Sequence, residues 1–166
     1  IVAAASVFPK ATQETAKSTM PLALKLTRSP LVQRQTLKSL QELYKNLILA
    51  GVVNFESLFE ALSDTKDIQS VDSQFVAHSL AKCVAAACVA AAAIKQTMTT
   101  LLAKLQGVSG IEAVYTLLCI GEIGRLTDLS ADKELETILF SAFDSYGDEV
   151  KGASALTLGR VAVGNR

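Results

Sequence analysis

The sequence predicts an all-α fold, an α-solenoid of stacked helical hairpins, from three observations. Apolar residues recur at helical spacing along the chain, and no segment keeps the period-two alternation of a half-buried strand. Signals for helix ends return at the spacing of short hairpins, and successive hairpins start about 40 residues apart. Half of the 166 residues are hydrophobic, which is ample for a continuous core.

The elements follow in order as a leading half-helix and about four hairpins, pairing 12–28 with 31–50, 54–63 with 72–92, 93–106 with 109–125, and 132–145 with 147–164. The opening Ile1-Val2-Ala3-Ala4-Ala5 lacks the basic flank and initiator Met of a signal peptide and reads as the middle of a helix, as the start of a fragment would. Pro21 either opens a helix or kinks one that begins near Thr12, and Pro30 separates the first two helices. In the second, Leu37, Leu40, Tyr44, Leu47 and Ile48 step by three and four, with Arg34, Lys38, Gln41, Glu42 and Lys45 on the other side. Gly51 is its left-handed stop.

Asn54 caps the next helix, the run Ala85 to Ala93 is a core spacer built on the best helix former, and Gly107 ends the helix before Ser109. Ser109 with Glu112 fits a capping box. Asp132 or Ser130 opens the following helix, Asp148 the last, and Gly164 closes it. In that last helix Val150, Ala153, Ser154, Thr157, Leu158 and Val161 share one face, and small residues with Gly159 allow a close approach to its neighbours. An acidic turn, a Val and a basic residue that introduce an Ala-rich second helix ending in Leu-Gly resemble the HEAT pattern. The interval of about 40 residues favours HEAT or armadillo units over the shorter tetratricopeptide and ankyrin repeats. Residues 1–166 thus read as one HEAT-repeat solenoid fragment.

Composition excludes several functions. Lys plus Arg and Asp plus Glu number 16 each, so no net charge draws the chain to nucleic acid. Cys83, Cys88 and Cys119 are odd in number, lack CxxC spacing and have only His78 as a co-ligand, which argues against a metal site and a disulfide framework and for a reducing compartment. The uncharged run Cys83 to Ile94 is shorter than the roughly 20 residues a membrane span needs. His78 has no catalytic partner motif, and Gly121, Gly124 and Gly159 lie in helical contexts without a preceding strand, so neither an enzyme nor a cofactor is expected. Basic residues gather in the first fifty positions and acidic ones in the last third, which reads first as solvated helix exteriors and alternatively as a long partner surface of matching polarity. Apolar end faces point to end-to-end self-association of the fragment.

A family resemblance sharpens this reading. Leu117-Leu118-Cys119-Ile120-Gly121-Glu122-Ile123-Gly124-Arg125, Asp128-Leu129-Ser130, Glu149-Val150-Lys151, Leu158-Gly159 and Val161-Ala162-Val163-Gly164-Asn165 closely resemble a stretch of the cullin-associated, neddylation-dissociated family, also described as TATA-binding-protein-interacting HEAT-repeat proteins. Arg28-Ser29-Pro30-Leu31 and Ala81-Lys82-Cys83-Val84-Ala85-Ala86 look like that family too. The stretch Ala90 to Gln106 and the turn Asp144-Ser145-Tyr146-Gly147 depart from it and mark a divergent member. The resemblance implies a fragment from the later half of a superhelix in the cytoplasm and nucleus. It implies one that wraps a cullin with its RING-box protein when the ubiquitin-like modifier is absent, and that promotes exchange of substrate receptors. Second helices would then line the partner face, with Gln33, Arg34, Lys38, Gln41 and Lys45 as candidate contacts. The competing readings are a nuclear-transport or phosphatase HEAT scaffold, an architectural segment without a partner, and an enzyme around His78.

Overall fold

The computed structural model describes residues 9–32, 34–65, 73–145 and 147–165. The expected half-helix at the amino terminus, residues 1–8, lies outside them, as do Gln33 and Tyr146. The described residues form helices only: α1 (Pro9–Thr27), α2 (Arg34–Leu49), α3 (Phe55–Ser63), α4 (Ser73–Ala90), α5 (Ile94–Leu105), α6 (Gly110–Leu126), α7 (Lys133–Ser145) and α8 (Asp148–Gly164). Each odd-numbered helix pairs with the even one that follows, and α2, α4, α6 and α8 stack one upon the next. The even helices, second in each hairpin, therefore form a continuous layer. The odd ones approach mainly their own mates, and a stack spaced more tightly in one layer bends toward it. This is the all-α HEAT-type arrangement.

Sequence periodicity explains the layers. On α2, Leu37, Leu40, Tyr44 and Leu47 are buried on a single stripe. On α4 over half of the positions are buried, and on α6 every position from Ala113 to Gly124, because each has a neighbour on both sides and a mate behind. Alanines and cysteines suit α4, where Cys83, Val84, Ala85, Ala87 and Cys88 are wholly buried. By length and composition α4 is apolar enough to cross a membrane, yet over half of it is buried within the fold. All three cysteines are free and buried, and burial pushes the Cys83 and Cys119 thiols up to about 12.

Helix ends combine local signals with tertiary ones. Gly51 adopts the left-handed φ of 64° and Val52 N–H bonds to the Leu47 carbonyl, closing α2 as expected. Ala92 closes α4 the same way at φ 53°, with Ala93 N–H on the Cys88 carbonyl, although it is no glycine. The Asn54 side chain accepts from Ser57 N–H at the start of α3. Pro21 lies inside α1, not at its start. The capping box at Ser109 does not form: its side chain makes no cap bond, and Glu112 turns instead to Lys104 of α5 at 2.9 Å. A cross-helix cation holds Glu112 better than the amide a local box would offer.

At the end of α3 the carbonyls that no helix N–H can reach are met from elsewhere. The Arg28 guanidinium donates to the Ala61 and Asp64 carbonyls at 2.8 and 3.3 Å, and the Tyr115 hydroxyl donates to Leu62 at 3.1 Å. Tyr44 is held likewise against α1. Thr27 donates to the Ala23 carbonyl, which leaves the Tyr44 hydroxyl to donate to the Thr27 oxygen at 2.9 Å. Burial raises the Tyr44 phenol to about 12, so it stays a neutral donor.

The tightest packing is between α6 and α8. A β-carbon on Gly121 would lie 3.1 Å from Thr157, one on Gly124 would lie 2.6 Å from Val161, and one on Gly164 would collide with the Gly124 carbonyl. Gly164 therefore ends α8 because it docks on Gly124, and its φ is not left-handed. Gly159, expected at this contact, has nothing within 4 Å of its β-position, and Leu158 is only half-buried. The expected face otherwise holds: Val150, Ala153, Ser154, Thr157 and Val161 carry the burial, and Leu158 packs at its edge.

Gly164→Ala is expected to lower stability by about 3 kcal/mol through overpacking, whereas Gly159→Ala, in open space, gains roughly 0.5 to 1 kcal/mol of helix propensity. Denaturant midpoints of the two variants check the sign of each. The thiols give a separate expectation: an aromatic disulfide reagent at pH 8 modifies none of the three cysteines in the folded chain and all three in denaturant. Rapid labelling of the folded chain would contradict the buried layer.

Candidate protein-docking surface

With an even neighbour on both sides and a mate behind, α4 and α6 leave one side outward, and with α2 and α8 they form a layer that presents a strip of its own. On α2 this strip carries Arg34 and Lys38, both exposed, and Gln41 and Lys45, both half-buried. They fall at steps of four, three and four, beside the buried stripe, and so share one flank. Lys45 is engaged with Glu42 at 3.4 Å, a surface pair of small energetic weight. Gln33 lies outside the described residues. The structure thus gathers four of the five candidates. No described contact ties them to the charges of α8, from which α4 and α6 separate them.

Those other charges were not singled out from sequence. Glu122 on α6 is 1% exposed, and its two oxygens are taken by Arg125 Nε at 2.9 Å and by Arg160 Nη2 of α8 at 3.2 Å. Gly121 makes this possible, since the Arg160 stem passes 3.3 Å from where its β-carbon would stand. The guanidinium crosses from one repeat to the next to neutralise a carboxylate that would be costly to bury alone. A signal existed: Gly121-Glu122 and Gly159-Arg160 place opposite charges after glycine at one repeat interval.

Hydroxyls close the same joint. Thr157 donates to the Leu117 carbonyl at 2.8 Å and Ser154 to the Leu139 carbonyl at 2.7 Å, both buried, tying α8 to α6 and to α7. At the far end the Asn165 side chain accepts from Leu129 N–H at 2.9 Å. Asp128 accepts from Ser130 N–H at 2.8 Å, and the Ser130 donors hold its carboxyl below the usual range. The connector 128–130 and the ending 163–165, distant in sequence, are therefore one structural unit.

His78 is half-buried on α4, and burial together with the positive charges of Arg160 and Lys82 lowers its proton affinity, while Glu122 raises it. Among the described residues no group of three His, Cys, Asp or Glu side chains could hold a metal ion.

Glu122→Gln is expected to cost about 2 to 3 kcal/mol, less than the 3 to 5 of a fully buried pair because Arg125 remains half in water. Asn165→Ala is expected to cost about 1 kcal/mol, one hydrogen bond's worth. Urea titration of both, with unchanged midpoints as the contrary result, tests whether these contacts fasten α8.

No protein-family model matches the sequence. Curated relatives do. The chain is 37% identical over 155 residues to cullin-associated NEDD8-dissociated protein 1 of Arabidopsis thaliana, an alignment covering 88% of this chain and 13% of that protein. The protein of the same name from Dictyostelium discoideum is 31% identical over 149 residues, covering 87% of this chain and 12% of the relative. That of Drosophila melanogaster is 32% identical over 160 residues, covering 84% and 13%. The chain spans about an eighth of the length of these relatives, as the shares of 12% and 13% show. Together with the helical-repeat fold, these matches mean that the chain belongs to the family of cullin-associated NEDD8-dissociated proteins.

Proposed function

We propose that this chain is a segment of a scaffold that wraps a cullin carrying its RING-box protein, engages it when the ubiquitin-like modifier is absent, and promotes exchange of substrate-receptor modules in the cytoplasm and nucleus. The observation that carries the reading is the open outer face of the even-helix layer, joined to relatives whose names associate them with cullins. A stacked layer of this kind presents side chains from several repeats to one extended partner, which is how helical solenoids usually bind. The role is one of binding and steric competition, not of bond-making. Arg34 and Lys38, exposed and unburdened by packing, supply positive charge at the α2 end of the face, where it would steer an acidic partner surface.

The test is a titration of the protein carrying this segment against purified cullin–RING-box complexes with and without the modifier. Tight association with the unmodified complex alone is expected. Arg34→Glu combined with Lys38→Glu is expected to slow association by about tenfold at low salt, as rim charges do. Equal binding of both complexes, or charge reversal without effect on rate or affinity, would overturn the corresponding part of the reading.

A further inference from the structure

Three rows of residues cross the even helices in matching register. Gln74 of α4, Val114 of α6 and Gly152 of α8 line one side of a cleft of about 300 Å³, and His78, Leu118 and Leu156, one turn further along each helix, line the other. One more turn brings Lys82, Glu122 and Arg160. The intervals between helices are 40 and 38 residues in every row, so parallel helices with one repeat length set the alignment. The charges of Lys82, Glu122 and Arg160 all act on His78, which places the third row beside the cleft.

The cleft has a graded chemistry. Val114 and Leu118, at 4% and 1% exposure, form an apolar floor, and Leu156, at 41%, is an aliphatic wall. Asp148 and Glu149 bound the end at the start of α8. At the opposite end Glu122 already has both oxygens committed to arginines, so Lys82 and Arg160 leave that rim positive. The volume lies at the lower limit of small-molecule sites, about 300 to 1,000 Å³, and suits one bulky side chain carried on a polypeptide.

We propose that this cleft is a docking site for a partner polypeptide, which seats an aliphatic or aromatic side chain on Val114, Leu118 and Leu156 and places an adjacent carboxylate against Lys82 and Arg160. The proposal rests on the reading above, that the even-helix face receives another protein, and specifies the chemistry of the contact. A carboxylate is favoured because it answers the positive rim with charge-assisted hydrogen bonds. His78, in the middle row, reports on its arrival. The groups around it are Gln74 and Lys82 on α4, Glu122 on α6, and Asp148, Glu149 and Arg160 on α8. An added anion shifts that balance toward the protonated imidazole, so docking tightens as pH falls through the His78 titration.

The test uses the isotopically labelled chain and a blocked peptide of sequence Gly-Ser-Phe-Glu-Glu-Ser-Gly, followed by nuclear magnetic resonance. Saturable shifts at His78, Leu118 and Leu156 are expected, with the His78 pKa raised in the complex. Replacing both peptide glutamates by glutamine, or Lys82→Gln in the half-exposed rim, is expected to weaken binding about tenfold, as loss of a charge-assisted hydrogen bond does. Replacing the peptide phenylalanine by alanine weakens it comparably. Equal affinity for the glutamate and glutamine peptides, shifts confined to other surfaces, or no shift at millimolar peptide overturns the proposal. If cullin complexes bind while His78 stays unmoved by peptide, the cleft alone is wrong. If the peptide docks and no cullin complex binds, the family-based reading alone is wrong.

Discussion

The contact of α6 with α8 is the constraint on which the described end of the molecule depends. Three glycines, at 121, 124 and 164, remove the side chains that would hold the two axes apart. Only at that separation can Thr157 reach the Leu117 carbonyl, Arg160 reach Glu122, and Asn165 reach the amide of Leu129. These tie points run along the length of α8, so a single displaced turn would break several at once. Dispersion between closely packed backbones and satisfied polar groups reinforce one another there.

The same logic distinguishes the two layers. The inner even helices are crowded on three sides, and small residues line the contacts of the layer: alanines and cysteines on α4, glycines on α6, and Ala153, Ser154 and Thr157 on α8. Odd helices are crowded on fewer sides and keep larger, more exposed residues, as Phe140 and Phe143 on α7 show. Buried polar groups appear where repeats join. Arg28 and Tyr115 close the carboxyl end of α3, and Glu122 with Arg160 links the last two repeats. Each is paired across helices distant in sequence, and so fixes how one hairpin sits on the next as well as adding stability.

Much of the architecture was legible because periodicity reports which residues avoid water. The helices of all four hairpins fall close to the expected boundaries, with Gly51 and Asn54 acting as read. Errors arose where an outcome depends on a neighbour that the local sequence does not name. Ser109 and Glu112 satisfy the pattern of a capping box, but Lys104 on another helix takes the carboxylate. Gly159 and Gly164 look alike as glycines near a helix end, yet one faces open space and the other a backbone carbonyl. Leu158 was placed in the buried stripe because a step of four fits a helix, while Thr157 and Val161 hold the contact. On the candidate surface, exposure of Arg34 and Lys38 followed from the pattern of α2. The Glu122 cluster did not, since a charged residue on a helix reads as solvated until its neighbours are known.

A solenoid of this build offers an extended surface shared among repeats. That surface exists only if the even helices keep their close succession. The most direct measurement is a nuclear Overhauser spectrum of the chain, examined between the α-protons of Gly124 and the methyl groups of Val161. A strong cross-peak between these two residues, on different helices, follows from the approach of the Val161 methyl to the open side of Gly124. Its absence, with Gly124 showing only neighbours within α6, would contradict the stacking of α8 on α6 and with it the shared face.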